Sequence, residues 1–203
     1  MTLESVFIFI IVIFSVIIHE VCHGYTAYFF GDQTAKYQGR LTLNPLKHID
    51  IFGSILLPLL LIITNAGIFL GWAKPVPYNP YNLRNRAVAE PIIAFSGPLS
   101  NFFLAFIFAM VARIMIAFNF GSPEFLKVIF IIVFTNIILA VFNLIPIPPL
   151  DGSRIITAFL PSLKYYFDKI EWAGMFIVLF FVLFFGQYVS IIASSVSQFF
   201  LGM

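Results

Sequence analysis

The sequence predicts an all-α protein that crosses a lipid bilayer several times. Hydrophobic residues make up 61% of the 203 positions and charged residues only 10%, whereas a soluble domain carries roughly 25% charged residues. The mean hydropathy is +1.03, and the apolar residues form runs long enough to span a hydrocarbon core as helices. The length suits one membrane domain over residues 1–203, with a core over about 3–155 and a C-terminal helical element over about 162–203.

Five apolar runs predict the helices. They extend over about Val6 to Phe30, Ile51 to Leu70, Ile92 to Phe118, Phe125 to Ile145 and Trp172 to Leu201. The last would be about 45 Å long as one helix, so both one tilted span and two helices divided near Gly186 fit it. Residues 36–43 alternate in polarity and predict a short strand. Three prolines within residues 71–80 predict an extended segment at the membrane interface.

The first apolar run contains two histidines and one acidic residue: His19, His23 and Glu20. Two histidines four residues apart lie on one face of a helix, so both imidazoles can reach the same ion. Glu20 lies to the side of that pair, placed to act on a water molecule at the metal rather than as a ligand. Because ionisable residues are rare inside membrane spans, this pattern predicts a functional metal site.

A catalytic zinc site usually has a third protein ligand and an open position for water. Asp151 is the best candidate, because it follows the proline-rich stretch after the fourth run and precedes Gly152. Two alternatives remain open: Asp151 acts only as a helix cap, or Glu90 is the third ligand. Cys22 is expected to pack rather than to bind metal. His48 is either a hydrogen-bonded loop residue or a gate or substrate contact.

Three motifs in this order resemble the site-2 protease family of intramembrane zinc metalloproteases. They are the His-Glu-x-x-His motif, Gly97-Pro98-Leu99-Ser100-Asn101, and an Asn-x-x-Pro-x-x-x-x-Asp-Gly motif from Asn143 to Gly152. Residues 39–50 and 71–77 resemble a compact prokaryotic branch of that family. The likeness covers most of residues 15–155. Only residues 119–124 join the third and fourth spans, which leaves no room there for a PDZ domain.

The resemblance implies an intramembrane zinc metalloprotease. The expected fold is a site-2 protease-like core of three transmembrane helices with a re-entrant hairpin, short interfacial strand or extended segments and one or two C-terminal helices. The resemblance also implies that His19, His23 and Asp151 bind one Zn²⁺ and that Glu20 is the general base. Asn143 then contacts the substrate backbone or the developing oxyanion. The expected partners are transmembrane protein substrates and the lipid bilayer. A metal transporter and an inactive protein that binds membrane segments are the alternatives, and a cluster of acidic residues near one leaflet argues against transport.

The proposed ligands constrain the topology. The histidines lie near the C-terminal end of the first span and Asp151 lies beyond the end of the fourth run, so the two helices must be parallel to share one ion. One of the two runs between them must then fail to cross the membrane. The run Ile51–Leu70 is interrupted by Pro58 and Asn65. We therefore predict that it enters the membrane and returns to the same side, packed on protein.

The basic residues support this arrangement. With the hairpin, nine of the eleven Lys and Arg residues lie on one side: Lys36, Arg40, Lys47, Lys74, Arg84, Arg86, Arg154, Lys164 and Lys169. Positive residues favour the cytosolic side, so the expected location is the cell membrane, with the N-terminus outside and the active site near the cytosolic leaflet. Because the basic residues are scattered singly, no nucleic acid partner is expected. The sequence does not predict an oligomeric state.

Overall fold

The computed structural model describes residues 3–56, 60, 63 and 73–202. In chain order, the α-helices of this part are α1 (Leu3–Phe29), α2 (Thr34–Tyr37), α3 (Arg86–Ala117), α4 (Pro123–Asn143), α5 (Asp151–Phe159), α6 (Ser162–Ile170) and α7 (Gly174–Leu201). Among the described residues, α1, α3, α4 and α7 are long and apolar enough to cross a membrane. The predicted all-α polytopic membrane fold is confirmed.

The core lies where α3, α4 and α7 meet. Ala105, Ala109 and Ala112 line one face of α3 and are fully buried. Small side chains at this spacing let neighbouring helices approach closely in a membrane. The facing buried residues are Ile129, Val133 and Ile137 of α4 and Ala193 of α7. Most of the remaining apolar surface of the four long helices is exposed, as expected for helices surrounded by lipid.

Helix α3 begins at Arg86, six residues before the predicted start at Ile92. An ion pair of 2.9 Å joins Arg86 Nε to Glu90 Oε1 across the first turn. The next buried positions, Ala89 and Ile93, pack against Ala27 of α1. These contacts offset the one helical hydrogen bond that Pro91 cannot donate, so the helix continues through that proline.

Backbone hydrogen bonds join the two ends of the connection between α1 and α3, and also join two positions within it. The N–H of Arg84 donates to the carbonyl of Phe30 at 2.8 Å, and the N–H of Lys74 donates to the carbonyl of His48 at 2.8 Å. A single crossing between His48 and Lys74 would place them roughly 30 Å apart. Lys74 therefore lies at the same level as His48, α3 begins beside the end of α1, and α1 and α4 run parallel.

The predicted re-entrant hairpin itself lies mostly outside the described residues. Its first part, Ile51–Leu56, is a π-helix. The last apolar run forms one helix, because α7 continues without a break through Gly186. The shorter α6 precedes it in the C-terminal element. Residues 73–79 form no helix, as predicted for the extended segment, while residues 71 and 72 lie outside the described part. We call residues 73–79 the extended segment.

The predicted strand over residues 36–43 is wrong. The chain there forms the end of α2 and a series of turns, and no residue that the structure describes is in a β-strand. Local bonds replace the ladder of a sheet: the N–H of Gln38 donates to Thr34 and that of Arg40 donates to Ala35. Gly39 has a φ of 62°, which turns the chain out of an extended path.

Candidate metal centre

The structure brings His19, His23 and Asp151 together. The two histidines lie one turn apart on α1, and Asp151 is the first residue of α5. Asp151 Oδ2 lies 3.0 Å from His19 Nε2 and 3.3 Å from His23 Nε2. All three side chains are buried or nearly so, and their ligand atoms lie within 4.8 Å of one another. These separations suit ligands that share one tetrahedral ion with bonds of about 2.0–2.2 Å.

The second ring nitrogen of each histidine faces an oxygen acceptor. His19 Nδ1 lies 2.8 Å from Asn101 Oδ1, and His23 Nδ1 lies 2.6 Å from the carbonyl of Ile93. An Nδ1 that donates to oxygen leaves the Nε2 of a neutral imidazole with its lone pair free. Both free lone pairs then point towards Asp151. This is the arrangement in which outer hydrogen bonds orient histidine ligands of a metal.

Helix α3 leaves space for the two imidazoles at Gly97. A Cβ atom added there would lie 2.5 Å from His19 Nε2 and would also overlap the ring of His23. Glycine is thus the residue that lets the backbone of α3 pass directly beside the ligand atoms. The donor set and the space around it fit a zinc ion.

Asp151 is held in place by the packing of α5 against the end of α4. A Cβ atom on Gly152 would overlap the carbonyl oxygens of Leu144 and Ile145, so the start of α5 requires glycine to reach this position. The N-cap residue of α5 is Leu150, and no side chain in the described part of the chain caps the helix there. The carboxylate of Asp151 faces the histidines instead. The helix-cap alternative therefore does not describe its contacts.

Glu20 lies beside this cluster and is half-buried. Its Oε2 accepts a hydrogen bond of 2.8 Å from the N–H of Val76 in the extended segment. Glu20 and His19 line a cavity of about 210 Å³, together with Asn101, Asn143 and Met175. The cavity therefore joins the predicted base and one predicted ligand to residues of α3, α4 and α7.

Asn143 occupies the last position of α4 and lines this cavity. Its Nδ2 donates to the carbonyl of Leu139 at 2.9 Å, one turn earlier in the same helix. This bond fixes the amide at the wall of the cavity. Its role towards a substrate stays a prediction.

The other candidates lie outside the cluster. Glu90 pairs with Arg86, and Cys22 is half-buried without joining the three ligands. His48 is buried, and its Nε2 lies 2.8 Å from the carbonyl of Thr42, the contact expected of a hydrogen-bonded loop histidine.

The motif from Gly97 to Asn101 does not by itself assign Asn101 to the metal centre. Asn101 is fully buried, and its side-chain amide bonds both His19 and Asn136. The sequence does hold a signal for this contact. Asn101 follows Gly97 by four residues, so the two share one face of α3. The spacing alone does not show that this face packs against His19 of α1.

Comparison with known proteins agrees with this site. The model of Peptidase family M50 matches residues 114–185, which include Asn143 and Asp151. The protein named Putative zinc metalloprotease YwhC of Bacillus subtilis (strain 168) is 43% identical over 163 residues, covering 76% of this chain and 69% of that protein. Putative zinc metalloprotease Rip2 of Mycolicibacterium smegmatis is 34% identical over 157 residues, covering 74% and 57%. No solved structure matches the chain.

Fold and site together define a multi-pass membrane protein with a buried centre for a catalytic metal. The chain belongs to peptidase family M50, the site-2 protease family, and is a zinc metalloprotease.

Proposed function

We propose that this protein hydrolyses peptide bonds in transmembrane or membrane-proximal segments of other proteins. The observation that carries the proposal is the cluster of His19, His23 and Asp151, in which His19 lines one cavity together with Glu20. The cavity lies between helices that are apolar enough to span a membrane. A substrate segment that is itself embedded in the bilayer can reach such a site without leaving the membrane.

His19, His23 and Asp151 would hold one zinc ion per chain. Two neutral imidazoles and one carboxylate leave a further position open, as catalytic zinc sites require. When bound, zinc lowers the pKa of water and polarises a carbonyl group. Asn101 and the carbonyl of Ile93 keep the two imidazoles in the tautomer that presents Nε2.

Glu20 is the general base in this proposal. Its carboxylate takes a proton from the attacking water and later delivers it to the leaving amine. The bond from the Val76 N–H holds Oε2, so Oε1 is the oxygen left for proton transfer. Asn143, which lines the same cavity, contacts the substrate backbone or the developing oxyanion.

The proposed location is the cell membrane, with the N-terminus outside and the metal centre near the cytosolic leaflet. The joined ends of the connection between α1 and α3 support this topology, because they keep Lys74 and Arg84 on the side of the metal centre. A membrane-impermeant maleimide tests it in a Cys22→Ser background. Arg84→Cys should react only in opened cells and Phe120→Cys in intact cells. Labelling of Arg84→Cys from outside would overturn the orientation.

The function is tested with purified protein, a tagged single-span model substrate and measurement of bound zinc. Glu20→Gln should retain zinc and lose cleavage, because it keeps the shape of the side chain but removes the base. Asp151→Ala should lose both zinc and cleavage. Glu90→Gln is the matched control and should retain both, since Glu90 pairs with Arg86 outside the cluster.

Three results would contradict the proposal. Full cleavage by Glu20→Gln would exclude Glu20 as the base. Undiminished zinc and activity in Asp151→Ala would overturn the ligand assignment. A wild-type protein that binds zinc and membrane segments without cleaving them would be a binding protein instead of a protease.

A further inference from the structure

Arg40 is a buried arginine outside the catalytic cluster. It lies in the turns after α2 with only 6% of its surface exposed. Its Nη2 donates to the carbonyl of Lys74 at 2.7 Å and to that of Pro75 at 3.1 Å. Burying a guanidinium group is unfavourable unless its donors are used. Both bonds come from Nη2, and the buried Nε has no hydrogen-bond partner among the residues that the structure describes, so the two carbonyls are the polar contacts that hold this group in place.

The two carbonyls that Arg40 holds immediately precede Val76, whose N–H donates to the Glu20 carboxylate. Arg40 therefore connects to Glu20 through two adjoining pieces of backbone. The side chain of Val76 is also buried against α1, where a Cβ atom on Gly24 would lie 2.6 Å from Val76 Cγ1. Gly24 lies one turn after Glu20 on α1, so the extended segment passes close to the helix where the N–H is needed.

We propose that Arg40 is a positioning residue that fixes the Glu20 carboxylate by holding the backbone that carries the Val76 N–H. The inference rests on the proposed function, in which Glu20 is the general base. Val76 lies between two prolines, so its own N–H is the only backbone donor among residues 75–77. A shift of the segment by one residue would place no N–H at the carboxylate.

The chemistry of arginine suits this task. The permanently charged, planar guanidinium places Nη2 between two successive carbonyl groups, whereas a lysine ammonium is a mobile point charge. Proper alignment of a base contributes strongly to catalysis, and a displacement of about 1 Å costs roughly a hundredfold in rate. Arg40 acts on kcat in this scheme and has no contact with the ligands of the metal.

The test compares Arg40→Gln, Arg40→Lys and the control Lys36→Gln in the full-length protein with the same model substrate. Lys36 is exposed and bonds to Tyr28 on the protein surface. Arg40→Gln should lower kcat roughly tenfold to a hundredfold, with KM and bound zinc unchanged. Arg40→Lys should recover part of the loss, and Lys36→Gln should match the wild type.

A double-mutant cycle separates positioning from loss of folding. Val76→Pro removes the N–H that bonds Glu20, so it should lower kcat by a similar factor. Because both changes break the same connection, the double variant should be no slower than the slower single variant. Independent, multiplying losses in kcat would overturn the inference.

Hydrogen exchange of the resting protein provides a readout without catalysis. The Val76 amide should exchange faster in both Arg40→Gln and Glu20→Ala than in the wild type or in Lys36→Gln. If Arg40 did not hold this segment, exchange of the Val76 amide would be unchanged in Arg40→Gln. That result, or wild-type kcat in Arg40→Gln, would overturn the inference while leaving the protease activity established. Absence of cleavage by the wild type would instead contradict the proposed function.

Discussion

The metal centre and the extended segment beside it are held together by different kinds of contact. At the metal centre, side chains from separate helices meet directly: His19 with Asp151, and His19 with Asn101. In the extended segment, side chains bind to backbone groups: Arg40 to two carbonyls and Glu20 to the N–H of Val76. The metal centre thus depends on contacts between side chains, whereas the extended segment contributes backbone groups to which side chains bind.

This difference separates what each region contributes. The metal centre requires particular side chains at particular positions, so single substitutions should remove the ion. The extended segment requires a backbone path, so substitutions there should leave the ion bound and alter the rate. Bound zinc and kcat, measured together, therefore distinguish damage to the two regions.

The largest effect is expected at Gly97. In Gly97→Ala, the new methyl group would overlap the ligand nitrogens of both histidines, and the backbone of α3 cannot move away without disturbing the buried core. Zinc binding and cleavage should both be lost. Zinc content by elemental analysis and cleavage of the model substrate provide the measurement.

Gly186→Ala is the matched control for this substitution. Gly186 lies in the middle of α7, and a Cβ atom there would have Val182 Cγ1 at 3.8 Å as its neighbour, an ordinary contact. This variant should retain zinc and activity. Full zinc occupancy in Gly97→Ala would show that the histidine rings do not occupy the space beside α3.

The second effect is expected at Asn101. Asn101→Ala removes the acceptor that orients His19 Nδ1. Loss of a hydrogen-bond partner of a metal ligand lowers the metal affinity by roughly tenfold to a hundredfold. Competition with a chelator measures this loss. Asn136→Ala should have a smaller effect, because Asn136 reaches the centre only through Asn101 at 3.3 Å. Equal losses in the two variants would contradict the direct role of Asn101.

Much of the metal centre was predictable from the sequence, for the reason that its groups are side chains. The spacing of His19 and His23 places them on one helix face whatever the rest of the chain does. The requirement that Asp151 reach the same ion then predicted parallel helices, and the joined ends of the connection between α1 and α3 agree with that topology. Helix boundaries were less predictable, as the early start of α3 at Arg86 shows.

The extended segment was not predictable to the same degree. Prolines indicate an extended path in residues 73–79, but no sequence pattern specifies which backbone group meets Glu20. The same limit explains the wrong strand prediction over 36–43. Its alternation suggested pairing through the backbone, whereas Arg40 reaches the segment through its side chain. Such contacts depend on how separate loops pack together.

The third effect is expected at Gly24, where a substitution should affect the extended segment without affecting the metal centre. In Gly24→Ala, the added methyl group would push against Val76 and Leu41. The extended segment should move away from α1 and weaken the bond to Glu20. We expect a decrease in kcat of roughly tenfold with zinc still bound. Loss of zinc in this variant would show that the segment and the metal centre are not independent.

The smallest effect concerns Asp32, which anchors the far end of the extended segment. The Asp32 carboxylate accepts hydrogen bonds from the backbone N–H of Asn79 at 2.8 Å, the Asn82 amide at 2.8 Å and the Thr34 hydroxyl at 2.6 Å. Burial alone raises the pKa of Asp32, but these hydrogen bonds outweigh it and hold the pKa below its ordinary value. The folded protein therefore favours the charged form of this group.

The sign of the pH dependence follows from this shift. Because the pKa of Asp32 is lower in the folded than in the unfolded protein, its contribution to stability is complete above the unfolded value of about 3.9 and is lost as the pH falls through the folded value. At pH 7, Asp32→Asn should unfold at a temperature roughly 2–4 °C lower than the wild type. Thermal unfolding in detergent from pH 7 to pH 3 measures the difference, which should be constant down to about pH 5 and narrow below pH 4. A difference that stays constant to pH 3 would show that the charge of Asp32 does not stabilise the anchor of the extended segment.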